Sequence, residues 1–136
     1  MIPHCRLLAA GRIGPTQTWQ MASHQHTHCE LIVVFRGRLR LEIAGQRLAG
    51  GEGDALFYPA GVSHAEAADA EVGLDMRFVA FEWSGLLHEA PLRVRDAAGR
   101  LREMLLWVHD GWTARGRGDR AAAEALLPGV LGEWQR

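Results

Sequence analysis

His24, His26, His28 and Glu30 recur at every second position of the chain. Side chains alternate faces along an extended strand, so a strand over this segment sends all four to one side, followed there by Ile32 and Val34. The apolar continuation marks that side as the interior of a sheet. Burying three imidazoles and a carboxylate together is costly unless something satisfies them. A divalent cation held by neutral imidazoles and one carboxylate does so. The alternative is a hydrated polar pocket without metal, in which the histidines hydrogen-bond a ligand or one another. A second segment, Gly53 through His64, ends in another imidazole just after a turn at Pro59 and Gly61.

Other residues bear on the same site. Trp19, ahead of His24, lines the pocket mouth or packs in the core. Arg77 stands in an apolar strand with Met76, Phe78 and Val79, where a partly buried guanidinium needs an anion. That anion is a ligand carboxylate, or else Asp75 or another acid. Tyr58 reads as a packing residue. Cys29, between His28 and Glu30, alternates away from the site and is no thiolate ligand. His4, His88 and His109 are isolated and read as solvated. The motif segments contain no Ser-His-Asp arrangement and no convincing further acid, base or nucleophile.

The elements that must position these groups fall into two halves. Up to about residue 84, Gly recurs between short apolar or alternating runs, the pattern of an all-β sandwich or barrel. Candidate strands are 16–21, 24–35, 38–44, 54–58 and 74–83, with turns at Gly37 and at Ala44 and Gly45, and a tight loop over 49–54. Arg36, Arg38 and Arg40 take one face of a strand, opposite Leu39, Leu41 and Ile43, as a solvated face or a phosphate or partner contact. From about Asp96, Leu101, Leu105, Val108 and Trp112 fall on one helical face, and Gly111 with the Gly116 and Gly118 stretch ends that helix. A second helix runs from Asp119 to Leu127, with Pro128 interrupting it. Strands first and helices last exclude a parallel βαβ sheet.

Composition agrees with one domain of this kind. The 136 residues are 48% hydrophobic and 23% charged, with a net charge of −1. All 15 basic residues are Arg. No basic surplus exists to displace counterions from nucleic acid, and no stretch approaches a membrane span. The expected setting is cytoplasmic, with Cys5 and Cys29 reduced.

The first segment reads H-x-H-x3-E-x6-G from His24 to Gly37, and the second G-x5-P-x-G-x2-H from Gly53 to His64. Together they resemble the paired motifs of the cupin superfamily. The resemblance implies a mainly β fold, a double-stranded β-helix or jelly-roll barrel, followed by two C-terminal α-helices. It makes His24, His26, Glu30 and His64 the metal-ligand positions for Zn, Ni, Mn or Fe, and Gly37, Gly53, Pro59 and Gly61 turn residues. His28 is a further inward group that replaces His26 if a bulge shifts the register. Two positions depart from the usual pattern: Thr18 stands where the first motif has Gly, and Ala68 where the second has Asn.

The words from His28 to Gly37, from Gly53 to His64, and Val79-Ala80-Phe81-Glu82-Trp83 resemble, more narrowly, the amino-terminal effector domain of AraC-type transcription regulators. That resemblance implies a barrel over 1–90 holding a small-molecule effector and, in some members, a metal. His28, Trp19 and Arg77 are then ligand-binding candidates. It also implies a helical tail over 91–136 that packs on the barrel or pairs two subunits through Leu101, Leu105, Val108 and Trp112. DNA would be bound only by a separate domain, so the chain is expected to be a truncated sensor, with the amino-terminal arm 1–14 or the late helices carrying the response. The competing expectation is a stand-alone metallo-cupin enzyme, such as a dioxygenase or isomerase.

Overall fold

The computed structural model describes residues 4–85 and 92–136. Eight strands precede two helices: β1 (Cys5–Thr16), β2 (Gln20–His24), β3 (Cys29–Ile43), β4 (Gln46–Gly51), β5 (Asp54–Tyr58), β6 (His64–Ala68), β7 (Leu74–Trp83), β8 (Arg93–Arg95), α1 (Arg100–Thr113) and α2 (Asp119–Trp134). All pairings are antiparallel. One layer runs β1-β7-β3-β5-β8, and the other joins β2, β6, β3 and β4.

The two layers share β3. Its first half pairs with β5 and β7, and its second half, Arg38–Ile43, pairs with β4 and β6. The corner falls at a register shift between Val34 and Arg36, followed by Gly37 at φ 80°. A Cβ on Gly37 would collide with the Gly73 carbonyl, so only glycine lets β3 bend here.

Both faces of the first layer are buried, which is why Leu31 to Phe35 and Ala55 to Tyr58 are continuously apolar. Ile32, Val34, Leu56, Tyr58 and Met76 face into the barrel. Leu31, Val33, Phe35, Phe57, Val79 and Phe81 face outward and are covered by Leu101, Leu105, Val108, Leu127, Val130, Leu131 and Trp134 of the helices. The Leu101 stripe therefore lies on its own chain's barrel and on α2, with Trp112 partly buried at its edge. Residues Arg36, Arg38 and Arg40 are exposed opposite buried Leu39, Leu41 and Ile43, as the alternation requires.

Several expected boundaries move. The single strand over 24–35 is two strands, because His24 pairs with His64 in one layer while Cys29 opens β3 in the other; residues 25–28 cross between them. Residues 5–14 of the expected arm belong to β1, zipped along β7, and the expected strand 16–21 divides between the end of β1 and the start of β2. The expected loop over 49–54 is largely β4, with the turn confined to the residues after Gly51. Residues 93–95 add a strand beside β5 before the helices begin.

The Asp96 carboxylate accepts hydrogen bonds from the Leu101 and Arg102 amides, which supplies the start of α1 with a cap. Gly111 does not stop α1: a Cβ there would stand 2.9 Å from the Asp119 carbonyl, so glycine admits the start of α2 against it. Pro128 does not interrupt α2 either. The helical carbonyl it leaves without a donor belongs to Glu124, on the exposed side, while Leu127, Val130 and Leu131 hold the other side in the core. No described helix is long and apolar enough to cross a membrane.

Candidate metal centre

Three elements converge at one end of the barrel. His24 ends β2, His64 opens β6 opposite it, and the crossover between β2 and β3 carries His26 and His28 ahead of Glu30. Ring centroids lie 4.3 Å apart for His24 and His64, 5.0 Å for His26 and His64, and 5.6 Å for His24 and His26. Donor atoms of His24, His26 and His64 all fall within 4.8 Å of one another, as do those of His26, His28 and Glu30. The four positions taken from the motifs are thus brought together, although not by one strand.

The backbone orients the rings. Nδ1 of His24 is 3.0 Å from the Ala22 carbonyl, Nδ1 of His26 is 2.8 Å from the His28 carbonyl, and Nδ1 of His64 is 3.2 Å from the Val62 carbonyl. A carbonyl only accepts, so each Nδ1 carries a proton, and in the neutral imidazole the lone pair is then on Nε2. Such outer-shell contacts accompany metal-binding imidazoles. The Nε2 of His26 is buried without a hydrogen bond, though it lies 2.8 Å from Glu30 Oε1. A lone pair facing a carboxylate oxygen is repulsive until a cation or proton stands between them. The donor set, three imidazoles and a carboxylate, fits a borderline divalent ion. Burial pulls the His64 pKa below its ordinary value, with the nearby His24 acting the same way; this favours the neutral ligand form.

His28 joins the cluster through His26 and Glu30. Its ring stacks on His26 at 3.8 Å, and its Nε2 stands 3.5 Å from Glu30 Oε1.

A cavity of about 80 Å³ opens from the cluster, lined by His24, Glu30, His64 and Glu66 and by Ile13, Met21, Ile32, Met76 and Phe78. That volume holds about two or three waters or a ligand of a few heavy atoms. Glu66 is the group that sequence reasoning missed, and Tyr58, read as a packing residue, packs in the core and also donates to Glu66. Glu66 is 7% exposed; its Oε2 accepts from the Tyr58 hydroxyl at 2.7 Å and its Oε1 from Trp19 Nε1 at 3.3 Å. Burial pushes the Glu66 pKa up, aided by Glu30 and opposed by those two hydrogen bonds. Burial likewise pushes Tyr58 well up, reinforced by Glu66. The signal was available: Glu66 follows His64 by two residues, so a strand beginning at His64 turns both inward.

The remaining candidates separate. Trp19 supports Glu66 while packing on the barrel core. Arg77 is on the opposite face of β7 from Met76 and Phe78, bound to Asp75 at 3.1 Å, and does not reach the histidines. Cys29 is buried in the outer core. His4 is exposed, His109 lies 3.8 Å from Asp110, and His88 falls outside the described residues.

Among solved structures, the protein YhaK from Escherichia coli is 16% identical, with a TM-score of 0.58 over 71% of this chain and 45% of that one. BH2720 from Bacillus halodurans is 13% identical, with a TM-score of 0.50 over 57% and 69%. Oxalate decarboxylase from Bacillus subtilis, a protein with Mn(II) centres, is 24% identical, with a TM-score of 0.41 over 62% and 22%. The first two likenesses bear on fold alone. No curated protein matches the sequence significantly. Residues 13–80 match the family described as Cupin domain, which spans half of the chain and every motif residue of the histidine cluster, and the chain belongs to that family.

Proposed function

We propose that this cupin is a metal-holding sensor module of the AraC type. One divalent ion, Zn, Ni, Mn or Fe, is held by His24, His26, His64 and Glu30. The carrying observation is the set of three Nδ1-to-carbonyl contacts, which leaves three Nε2 lone pairs to share one site. When bound, the ion supplies a Lewis-acidic position for a small anionic or oxygen-bearing effector. The signalling part of the reading draws on β3 and β7. Glu30, Ile32, Met76 and Phe78 of these strands face the cavity, while Leu31, Val33, Val79 and Phe81 face the helices. A shift of either strand on ligand binding is thereby felt by α1 and α2, and binding acts only through its differential affinity for the two arrangements. The module is proposed to work in the cytoplasm as a homodimer, with DNA bound by a separate domain. Since the Leu101 stripe is used within the chain, the helix contact between copies is assigned to the outer face of α1, where Trp107 is 54% exposed.

Glu66 favours a second reading, a metallo-cupin enzyme. It places a buried carboxyl with a raised pKa on the wall of the metal cavity, where a general acid or base would stand.

Metal analysis of untagged protein tests the shared part. About one ion per chain is expected, lost in His26→Ala and His64→Ala. Metal-free protein whose melting temperature is unmoved by added Zn, Ni, Mn or Fe ions overturns it. Hydrogen exchange with and without metal separates the readings: slowed exchange in α1 and α2 supports the sensor, and protection confined to the barrel counts against it.

A further inference from the structure

Outside the barrel, a cleft of about 870 Å³ opens beside β1, β3, β7 and α1. Arg12, Arg36, Arg77 and Arg102 line it, against the single carboxylate of Asp75. The net charge of its lining is therefore strongly positive in a chain whose total is −1. The volume is in the range of small-molecule sites, about 300–1,000 Å³, whereas the barrel cavity is well below it.

Three of the four guanidinium groups are held in place before any ligand arrives. Arg12 donates to both oxygens of Asp75, at 3.1 and 3.0 Å. Arg77 donates to Asp75 at 3.1 Å, and its buried Nε has no partner among the described residues. Arg102 donates to the Phe35 carbonyl at 3.2 Å. The guanidinium carbons of Arg77 and Arg102 both lie over the Phe35 ring, at 4.8 and 4.2 Å from its centroid. Arg36 is exposed and has no ion pair among the described residues. Arg12 and Arg77 share the Asp75 carboxylate, Asp110 also acts on Arg77, and Arg102 stands over the same Phe35 ring; these like charges repel one another, and a further anion relieves that repulsion. Because Arg77 and Arg102 are already oriented, little ordering of those two side chains opposes binding. Val72 and Leu106 give the cleft an apolar edge.

We propose that this cleft is a second binding site, for a small organic anion whose carboxylate or phosphate meets Arg36, Arg77 and Arg102 and whose apolar part lies against Val72 and Leu106. The site rests on neither reading of the barrel. It bridges α1 to β3 and β7, so an occupant would tie the helix to the sheet.

The probe is phenyl phosphate, with benzoate as the carboxylate form and benzyl alcohol as the uncharged control. Each is titrated by calorimetry into metal-stripped protein in EDTA, so that the histidine cluster cannot hold the anion through an ion. One-site binding of phenyl phosphate, benzoate or both is expected, with none for benzyl alcohol. Affinity should fall about tenfold or more in Arg36→Gln and Arg77→Gln, the loss expected for one charge-assisted contact. It should also weaken at about 0.5 M NaCl. Arg47→Gln, remote and paired with Glu42, should bind as the parent does. Arg36 is exposed, so its variant tests the site even where Arg77→Gln fails to fold. Absence of saturable anion binding or unchanged affinity in Arg36→Gln overturns the proposal.

Discussion

Replacing Tyr58 by Phe removes one oxygen and leaves a buried carboxylate short of a donor. The Tyr58 hydroxyl is wholly buried and gives Glu66 its shorter hydrogen bond, 2.7 Å against 3.3 Å from Trp19. Hydrogen bonds to charged groups contribute about 1.5–3 kcal/mol, and a buried acceptor left unmet costs its desolvation as well. Tyr58→Phe is therefore expected to lower the unfolding free energy by about 1.5–3 kcal/mol near pH 8, with an unchanged urea m-value. The ring stays, so no cavity term enters. Urea unfolding followed by tryptophan fluorescence measures this in EDTA, which removes stabilisation by bound metal. The decisive arm is the same substitution in a Glu66→Met background. With the carboxylate gone, the phenol loses its partner, and Tyr58→Phe should cost less than about 0.5 kcal/mol, leaving a coupling energy of about 1 kcal/mol or more. Equal costs in the two backgrounds would refute the assignment of Glu66 as an anion held by Tyr58.

Asp69 and Gly111 give two further tests. The Asp69 carboxylate accepts from the Val72 and Glu71 amides and from Arg40, which holds its pKa below the usual value. A depressed folded pKa contributes stability that is present above the unfolded pKa of about 3.9 and is lost as pH falls through the folded value. Chemical denaturation across that range should accordingly show the deficit of Asp69→Asn to be full above about pH 4 and to shrink below it; a deficit that does not vary with pH would count against the ionic role. Gly111→Ala should lower the melting temperature, although helix propensity alone favours Ala by about 1 kcal/mol, because the new Cβ meets the Asp119 carbonyl at 2.9 Å. A raised melting temperature would mean that α2 yields at that contact.

How far the sequence reached depended on whether a property was local. The bounds of β5 and β7 match the expected 54–58 and 74–83, because each is an apolar run closed by turn or polar residues. The proximity of His24, His26, Glu30 and His64 followed from the family resemblance of the two motifs, while alternation along one strand from His24 through Glu30, the reason offered from spacing, does not hold. Period-two spacing continued across a change of layer, and nothing local distinguishes a straight strand from a strand end, a crossover and a new strand with the same residues facing inward. The helix ends were misread for a related reason: Gly111 and Pro128 break helices in isolation, but here each stands where packing tolerates it. Glu66 was overlooked because its importance depends on burial, and burial is contributed by Trp19 and Tyr58 from other strands.

The same distinction bears on what the barrel responds to. A cavity of about 80 Å³ beside the histidines leaves little room for a sugar or an aromatic acid, so on the sensor reading the bound metal, or a ligand of a few atoms on it, is the signal that fits inside. Larger anions are matched in size and charge by the arginine cleft. Both sites touch β3 and β7 from opposite faces, through Glu30 and Met76 on one side and Phe35 and Arg77 on the other. Two ligands that each favour one packing of these strands would help one another bind, and by linkage the help is equal in both directions. Phenyl phosphate affinity should accordingly rise when the histidine site is loaded with metal and return to its EDTA value when the metal is removed, and metal affinity should rise by the same factor with the cleft filled. Affinities that ignore each other would leave two sites on one barrel with no packing change shared between them.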